Sequence, residues 1–188
     1  MVAHGFKGGI GTASRRVAGA YTLGAIVQAN YGTRESLTIA GVPVGREIQA
    51  AGRTRGQGPG EDRDGSILVV IATDAPLLPH QLERLTRRVP MGIARLGGTA
   101  SNGSGDIFLA FSTANPGAAA ASGVTALTWL PNGDLTPFFD ATVQATEEAI
   151  VNALVAADTM TGVNGNTASA LPIDELRAIL TKYNRLVR

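Results

Sequence analysis

The 188-residue sequence predicts a single α/β (α+β) domain in which helix layers cover a β-sheet. Apolar runs with strand character lie at residues 21–30 and 67–72, whereas the long stretches with helical periodicity come last. Only 16% of the residues are charged and 24 are glycine, which favours closely packed layers or burial against partner subunits. These observations together predict helices layered over sheets.

The N-terminal region predicts a loop followed by a strand. Residues 5–14, GFKGGIGTAS, are rich in glycine, and we interpret them as a loop with a tight turn. An anion-binding loop is disfavoured, because the segment is neither a P-loop nor a GxGxxG motif that follows a strand. Residues 21–30, YTLGAIVQAN, carry apolar or small side chains on both faces and predict a strand that is covered on both sides. Asn30 at its end has the pattern of a turn former.

The middle of the chain changes abruptly from a polar segment to a strand. Residues 50–64 combine glycines and charges without apolar periodicity and predict a flexible tail. Residues 67–72, ILVVIA, follow at once and predict a central strand that is covered on both faces. The junction is Gly65-Ser66, a small hydroxyl residue behind a glycine at the start of a buried strand.

Apolar residues at three- and four-residue spacing then predict a helix, which Pro90 kinks or divides. The residues with this spacing are Leu82, Leu85, Val89 and Ile93.

The C-terminal half predicts further strands and two helices. A glycine- and serine-rich loop at 96–105 leads into a strand at 106–113, and another short strand is expected at 126–130. A long helix is expected over 137–158, and a last helix begins at Pro172.

Composition excludes several classes of function. The chain has no cysteine, two histidines and a net charge of +1, so we expect no disulfide, no metal or cofactor site and no nucleic-acid partner. No run of 18 apolar residues predicts a membrane span, and the N-terminus lacks the apolar core of a signal peptide, so we expect a cytoplasmic protein. Arg84, Arg87 and Arg88 have the spacing of a solvated helix face.

The Gly65-Ser66 junction has the pattern of an N-terminal nucleophile. His4 and His80 are poorly placed for a serine triad, and Gly103-Ser104-Gly105 lacks the strand of a nucleophile elbow. A chain that cuts itself before a serine frees an α-amine, which titrates near pH 8 and can accept the hydroxyl proton. On pattern alone, a serine without a role at a loop-to-strand junction remains an alternative.

The stretch DGSILVVIATDAPLLPHQLERLTRRVP resembles the DmpA family of L-aminopeptidase/D-esterases and β-peptidyl aminopeptidases, which are N-terminal nucleophile hydrolases. Further matching stretches are HGFKGGIGTASR, VQANYG, LTIAGVPVG, SNGSGDIFLAFSTAN and MTG. The resemblance covers nearly the whole chain. It implies a four-layer α/β/β/α sandwich, shared with ornithine acetyltransferases, and self-cleavage between Gly65 and Ser66. Residues 1–65 would then end the α chain and 66–188 would form the β chain.

The resemblance also implies a role for each site residue. Ser66 would be the nucleophile, with its own amine as base. Ser104 would orient or relay a proton, and Asp106, which is Glu in some members, would hold an ammonium group. Asn30 would donate a hydrogen bond to the oxyanion.

Family precursors are longer on the N-terminal side, and the portion that this chain lacks includes a tyrosine near the nucleophile. The resemblance therefore implies an incomplete sandwich with exposed apolar surface. We expect an aminopeptidase that acts on short peptides, amides or esters, as a homo-oligomer or with a partner that supplies the missing N-terminal segment. The alternatives are an inactive or partner-dependent fragment, or an acyltransferase like the ornithine acetyltransferases, whose nucleophile is threonine.

Overall fold

The computed structural model describes residues 1–49, 65–119 and 122–186. The predicted tail at 50–64 lies outside these residues. The chain begins with a hairpin of two short strands, β1 (Val2–Ala3) and β2 (Phe6–Lys7). Its turn is formed by His4 and Gly5, both in the left-handed region with φ of 49° and 72°. A two-residue loop with positive φ at both positions is a type I′ turn, which matches the twist of a hairpin.

A four-stranded mixed sheet follows, in the order β3-β4-β5-β6. Its strands are β3 (Gly9–Val17), β4 (Tyr21–Asn30), β5 (Ser66–Thr73) and β6 (Ile107–Ser112). The pairs β3–β4 and β4–β5 are antiparallel, whereas β5 and β6 are parallel. Strands β4 and β5 therefore confirm the two strongest strand predictions, and β5 begins at the candidate nucleophile.

Five α-helices are described, and the second and the fourth of them pack against this sheet. The helices are α1 (Val44–Glu47), α2 (Pro79–Thr86), α3 (Val89–Arg95), α4 (Thr136–Val155) and α5 (Ile173–Lys182). A last pair of short strands, β7 (Met160–Thr161) and β8 (Thr167–Ala168), precedes α5. The apolar stripe around Pro90 is divided into α2 and α3, as predicted, with Pro90 in the first turn of α3. None of the helices in the described part of the chain is long and apolar enough to cross a membrane.

The long helix α4 packs against the sheet through small residues. Its buried face carries Ala141, Ala145, Ala149 and Ala153, which bring the helix axis close to the strands. A β-carbon on Gly11 of β3 would overlap the backbone of Ala149, so this close approach requires glycine. The side chains that cover the strands therefore contribute little bulk, and the layers lie close together.

The opposite face of the sheet is exposed over the described residues. Large apolar side chains point outward from all four strands: Ile10 is 60% exposed, Ile26 42%, Leu68 40%, Ile107 61%, Leu109 56% and Phe111 44%. We call these six residues the outer sheet face. The prediction that β4 and β5 are covered on both sides is thus wrong for this part of the chain. An uncovered sheet face agrees with the prediction of an incomplete sandwich.

Two further predictions are wrong in detail. The expected loop at 5–14 is β2 and most of β3, and its glycines permit close backbone contacts: a β-carbon on Gly8 would overlap the Ala29 carbonyl oxygen. The expected strand at 126–130 is not formed. That segment is instead tied to neighbouring loops, because Asn115 bonds the backbone of Thr128 and Leu130 N donates to Pro76 O.

Candidate active site

The candidate site lies where β4 ends and β5 begins. Asn30 and Ser66 are the last pair of the antiparallel β4–β5 ladder. Directly opposed residues of such a pair project to the same face of a sheet, with β-carbons about 5 Å apart. The two strands therefore bring together two of the predicted site residues, although they are far apart in sequence.

The Ser66 hydroxyl is held by the loop that enters β6. The Gly105 backbone N–H donates a hydrogen bond to Ser66 Oγ at 2.9 Å. A β-carbon on Gly105 would lie 3.3 Å from this oxygen, so glycine gives the hydroxyl room. Because Oγ accepts this bond, its own proton is directed elsewhere, and one lone pair is already occupied.

Asp106 binds the start of β5 at Ile67, the residue after Ser66. The Ile67 backbone N–H donates to Asp106 Oδ1 at 2.9 Å. Ser104 and Asp106 thus flank the glycine that contacts Ser66, and both line a cavity of about 650 Å³. The cavity wall is otherwise largely apolar and includes Pro90, Ile93, Gly98 and Phe108. A carboxylate at the edge of an apolar cavity can bind an amine whose remainder is apolar.

Asn30 is oriented by the N-terminal hairpin. The Val2 backbone N–H donates to Asn30 Oδ1 at 3.0 Å. Since the amide oxygen is engaged, the two N–H groups of the same side chain are the donors that remain for a ligand.

Two buried side chains next to Asn30 were not predicted as part of the site. Tyr31 and His4 pack edge to face, with ring centroids 4.9 Å apart. Burial lowers the pKa of His4 to about 4, and burial together with the Asp106 carboxylate raises the pKa of Tyr31. From the sequence, His4 is considered as a member of a serine triad, for which it is poorly placed. The alternation of VA, HG and FK around a possible two-residue turn is the signal that could have identified its hairpin.

All four predicted site residues lie around one backbone junction. Asn30 pairs with Ser66, and Ser104 and Asp106 flank the residue that contacts the Ser66 hydroxyl. The described residues contain no group of three or more His, Cys, Asp or Glu side chains that could hold a metal ion. The arrangement offers a hydroxyl at the start of a strand, an oriented side-chain amide and a carboxylate. This is a set of groups that can support acyl transfer.

Comparisons with known proteins identify relatives of this chain. Residues 1–168 match the sequence family described as Peptidase family S58. The β-peptidyl aminopeptidase BapA of Sphingosinicella microcystinivorans is 54% identical over 99% of this chain and 50% of its own length. BapA of Sphingosinicella xenopeptidilytica is 45% identical over 96% of this chain and 48% of its own length.

Solved structures are similar over the same half. The PH0078 protein of Pyrococcus horikoshii OT3 superposes with a TM-score of 0.88 at 48% identity, over 99% of this chain and 50% of that one. The L-aminopeptidase D-Ala-esterase/amidase of Ochrobactrum anthropi gives a TM-score of 0.85 at 44% identity, over 100% of this chain and 51% of that one. That structure is described as a variant of the Ntn hydrolase fold. This chain therefore spans about half the length of the relatives that it matches.

Proposed function

Because this chain belongs to peptidase family S58, we propose that it forms the catalytic half of a self-processing serine aminopeptidase with Ser66 as the N-terminal nucleophile. The substrates would be short peptides, amides or esters with a free amine. Relatives named β-peptidyl aminopeptidase and L-aminopeptidase support this class of substrate. The single observation that carries the proposal is the contact between Ser66 Oγ and the Gly105 N–H, in a junction that also contains Asn30 and Asp106.

Self-cleavage would begin with attack of Ser66 Oγ on the carbonyl carbon of Gly65. The C–O bond forms, the hydroxyl proton passes to the Ser66 nitrogen, and the Gly65–Ser66 C–N bond breaks. The product is an ester between Gly65 and the Ser66 side chain. A water molecule hydrolyses this ester and leaves a Gly65 carboxylate, a free Ser66 hydroxyl and a free Ser66 α-amine.

Turnover would use the groups that cleavage has released. The α-amine of Ser66 accepts the hydroxyl proton, and Oγ attacks the acyl carbon of the substrate. The Asn30 amide donates to the oxyanion of the tetrahedral intermediate. Ser104 orients the transferred proton, and Asp106 holds an ammonium group. The proton then goes to the leaving amine, and water hydrolyses the acyl-enzyme.

The outer sheet face supports a requirement for a second polypeptide segment. Its six large apolar residues are exposed in the described part of the chain, and the relatives are about twice as long. A patch of this kind marks an interaction surface. We therefore propose that a second sheet covers this face, supplied by the segment that corresponds to the other half of the relatives. The assembled protein would be a homo-oligomer of such units.

The experiment is intact-mass analysis of the purified chain, followed by assay with aminoacyl-anilides and β-aminoacyl-anilides. We expect two fragments divided between Gly65 and Ser66 once the second segment is supplied by co-expression, and turnover that depends on them. Ser66→Ala is the matched control and should remain one uncut chain without activity.

Co-expression with the N-terminal half of Sphingosinicella microcystinivorans BapA tests the need for a second segment. Cleavage only in the co-expressed sample would show that self-cleavage of this chain depends on the second segment. An uncut and inactive chain in both samples would contradict the proposed function.

A further inference from the structure

The N-terminal hairpin contacts the end of β4 through its backbone. His4 N donates to Tyr31 O at 2.8 Å, and Val2 N donates to Asn30 Oδ1 at 3.0 Å. The hairpin therefore runs beside Asn30 and Tyr31 at the end of β4. The Val2 N–H bonds the Asn30 side chain instead of a backbone carbonyl. That side chain is the amide which the proposed function uses as the oxyanion donor.

This contact determines which way the Asn30 amide faces. An amide side chain has an oxygen that accepts and a nitrogen that donates, and a 180° rotation exchanges them. A backbone N–H can only donate, so the atom that faces Val2 must be Oδ1. The rotated amide would place its own N–H groups against the Val2 N–H and lose the hydrogen bond. The Val2 bond thus holds the Asn30 N–H groups on the side away from the hairpin.

The hairpin that carries Val2 is anchored through contacts of His4. His4 Nδ1 lies 3.0 Å from Thr33 O, and its ring is wholly buried against Tyr31. Gly32 has φ of 79°, and a β-carbon there would overlap the His4 ring. Residues 31–33 therefore pack closely around His4. His4 follows the Val2 donor by two residues in the chain.

We infer that the Val2 backbone N–H is a positioning group for Asn30, which fixes the amide with its N–H groups available to the oxyanion. The inference rests on the proposed role of Asn30. In self-cleavage the oxyanion is the former carbonyl oxygen of Gly65, and in turnover it is the acyl oxygen of the substrate. Without the Val2 bond, the amide would populate both orientations, and only one of them donates to the oxyanion.

Val2→Pro removes the donor, and Val2→Ala, which keeps it, is the matched control. All chains carry the same short extension before Met1, so that Met1 stays in place. Removal of an oxyanion donor costs about 100- to 1,000-fold in rate. We expect Asn30→Ala to slow self-cleavage by that order. Val2→Pro should slow it by roughly tenfold or more, up to the Asn30→Ala effect, with kcat for anilides reduced more than KM is changed.

The double variant separates positioning from a general structural effect. If Val2 acts through Asn30, Val2→Pro should have no further effect in the Asn30→Ala background. Equal rates for Val2→Pro and Val2→Ala, or multiplying effects in the double variant, would overturn the inference. If the proline disturbs the fold in thermal melting, an ester bond between Met1 and Val2 removes the same N–H without the ring.

A readout that needs no activity is amide hydrogen exchange of the uncut Ser66→Ala chain by NMR. The Val2 amide should be protected, and Asn30→Ala should abolish this protection while the His4 amide stays protected. An unprotected Val2 amide would overturn the inference, whatever the outcome of the assays. An Asn30→Ala chain that cleaves itself at the normal rate would instead contradict the proposed role of Asn30, and the exchange result would still decide whether the Val2 bond exists.

Discussion

Gly65 lies so close to Asn30 that a β-carbon on Gly65 would overlap the Asn30 carbonyl oxygen and approach Tyr31 Cα to 3.0 Å. The residue before the candidate nucleophile is therefore in direct backbone contact with the end of β4. Only glycine fits this contact. It lets Gly65, whose carbonyl carbon is the proposed point of attack, lie against the end of β4 beside Asn30.

Gly65→Ala should slow self-cleavage and lower stability. The added methyl group must displace either β4 or the junction, and such overpacking costs about 1–3 kcal/mol. Intact mass over time measures cleavage, and urea unfolding of the chain in the Ser66→Ala background measures stability. Gly133→Ala is the matched control, because no atom lies within 4 Å of its β-carbon position. Equal behaviour of the two alanine variants would contradict the close approach at Gly65.

Asp106→Asn should affect turnover more than self-cleavage. An asparagine oxygen can still accept the bond from Ile67 N, and an ammonium group at Ser66 exists only after the peptide bond has broken. A charge-assisted hydrogen bond contributes about 1.5–3 kcal/mol, so we expect a loss of roughly 10- to 100-fold in kcat/KM for amine substrates. Self-cleavage should stay within about tenfold of the parent rate, because the bond from Ile67 N is kept and no ammonium group exists yet at Ser66.

Asp74→Asn is the control for Asp106→Asn, since Asp74 also accepts a backbone bond, from Thr22 N, at the other end of β5. It should change neither reaction. Self-cleavage and turnover that fall equally in Asp106→Asn would show that the carboxylate acts before the amine is released.

The buried histidine should make the protein sensitive to acid. The pKa of His4 is about 4 in the folded chain because of burial, against 6.5 for an ordinary histidine. The unfolded state therefore binds a proton first as pH falls. The contribution of neutral His4 to the free energy of unfolding is fully present above pH 6.5. As the pH falls to 4, about 3 kcal/mol of it is lost progressively.

Urea unfolding between pH 7 and 4 of the Ser66→Ala chain measures this loss. His4→Asn is the test variant, because asparagine tolerates the left-handed φ of 49°. It should be less stable at pH 7 and should lose less stability on acidification. His80→Gln removes an exposed histidine and should leave the pH dependence of the free energy of unfolding as in the parent. The parent's pH dependence in His4→Asn would contradict the low pKa of His4.

Tyr31→Phe should stabilise the uncut chain. The Tyr31 hydroxyl is buried and finds no hydrogen-bond partner among the described residues. An unsatisfied buried group costs about 1–3 kcal/mol, so its removal should raise the free energy of unfolding by roughly 1 kcal/mol. Tyr21→Phe, at a partly exposed position, should change it little. A clear loss of stability in Tyr31→Phe would reveal a partner for this hydroxyl.

Strands β4 and β5 could be predicted from local pattern alone. Residues 21–30 and 67–72 are apolar and bounded by polar segments, and they became β4 and β5. The division at Pro90 followed from the missing backbone N–H of proline. Family resemblance named Asn30, Ser104 and Asp106, and the structure brings them to the junction with Ser66. Their roles remain predictions.

The remaining features depend on contacts that a sequence pattern does not contain. Glycines at 8 and 11 indicate a loop by propensity, but both lie in or beside strands where another backbone approaches. The long helix was predicted from its large apolar residues, whereas four alanines and two threonines, Thr142 and Thr146, are among the nine residues of its buried face. The prediction that both sheet faces are covered rested on the apolar side chains of both faces, but one face is exposed in the described part of the chain.

The ladder between β4 and β5 joins residues from opposite sides of the proposed cleavage point. Eight residue pairs, from Leu23–Thr73 to Asn30–Ser66, form this ladder, and α4 from the second side packs on β3 from the first. Before cleavage, refolding is unimolecular. After cleavage the same contacts must form between two separate chains, so the apparent stability would depend on protein concentration. A cut protein that is unfolded at low concentration would not readily reassemble, so the proposed cleavage would have to follow folding.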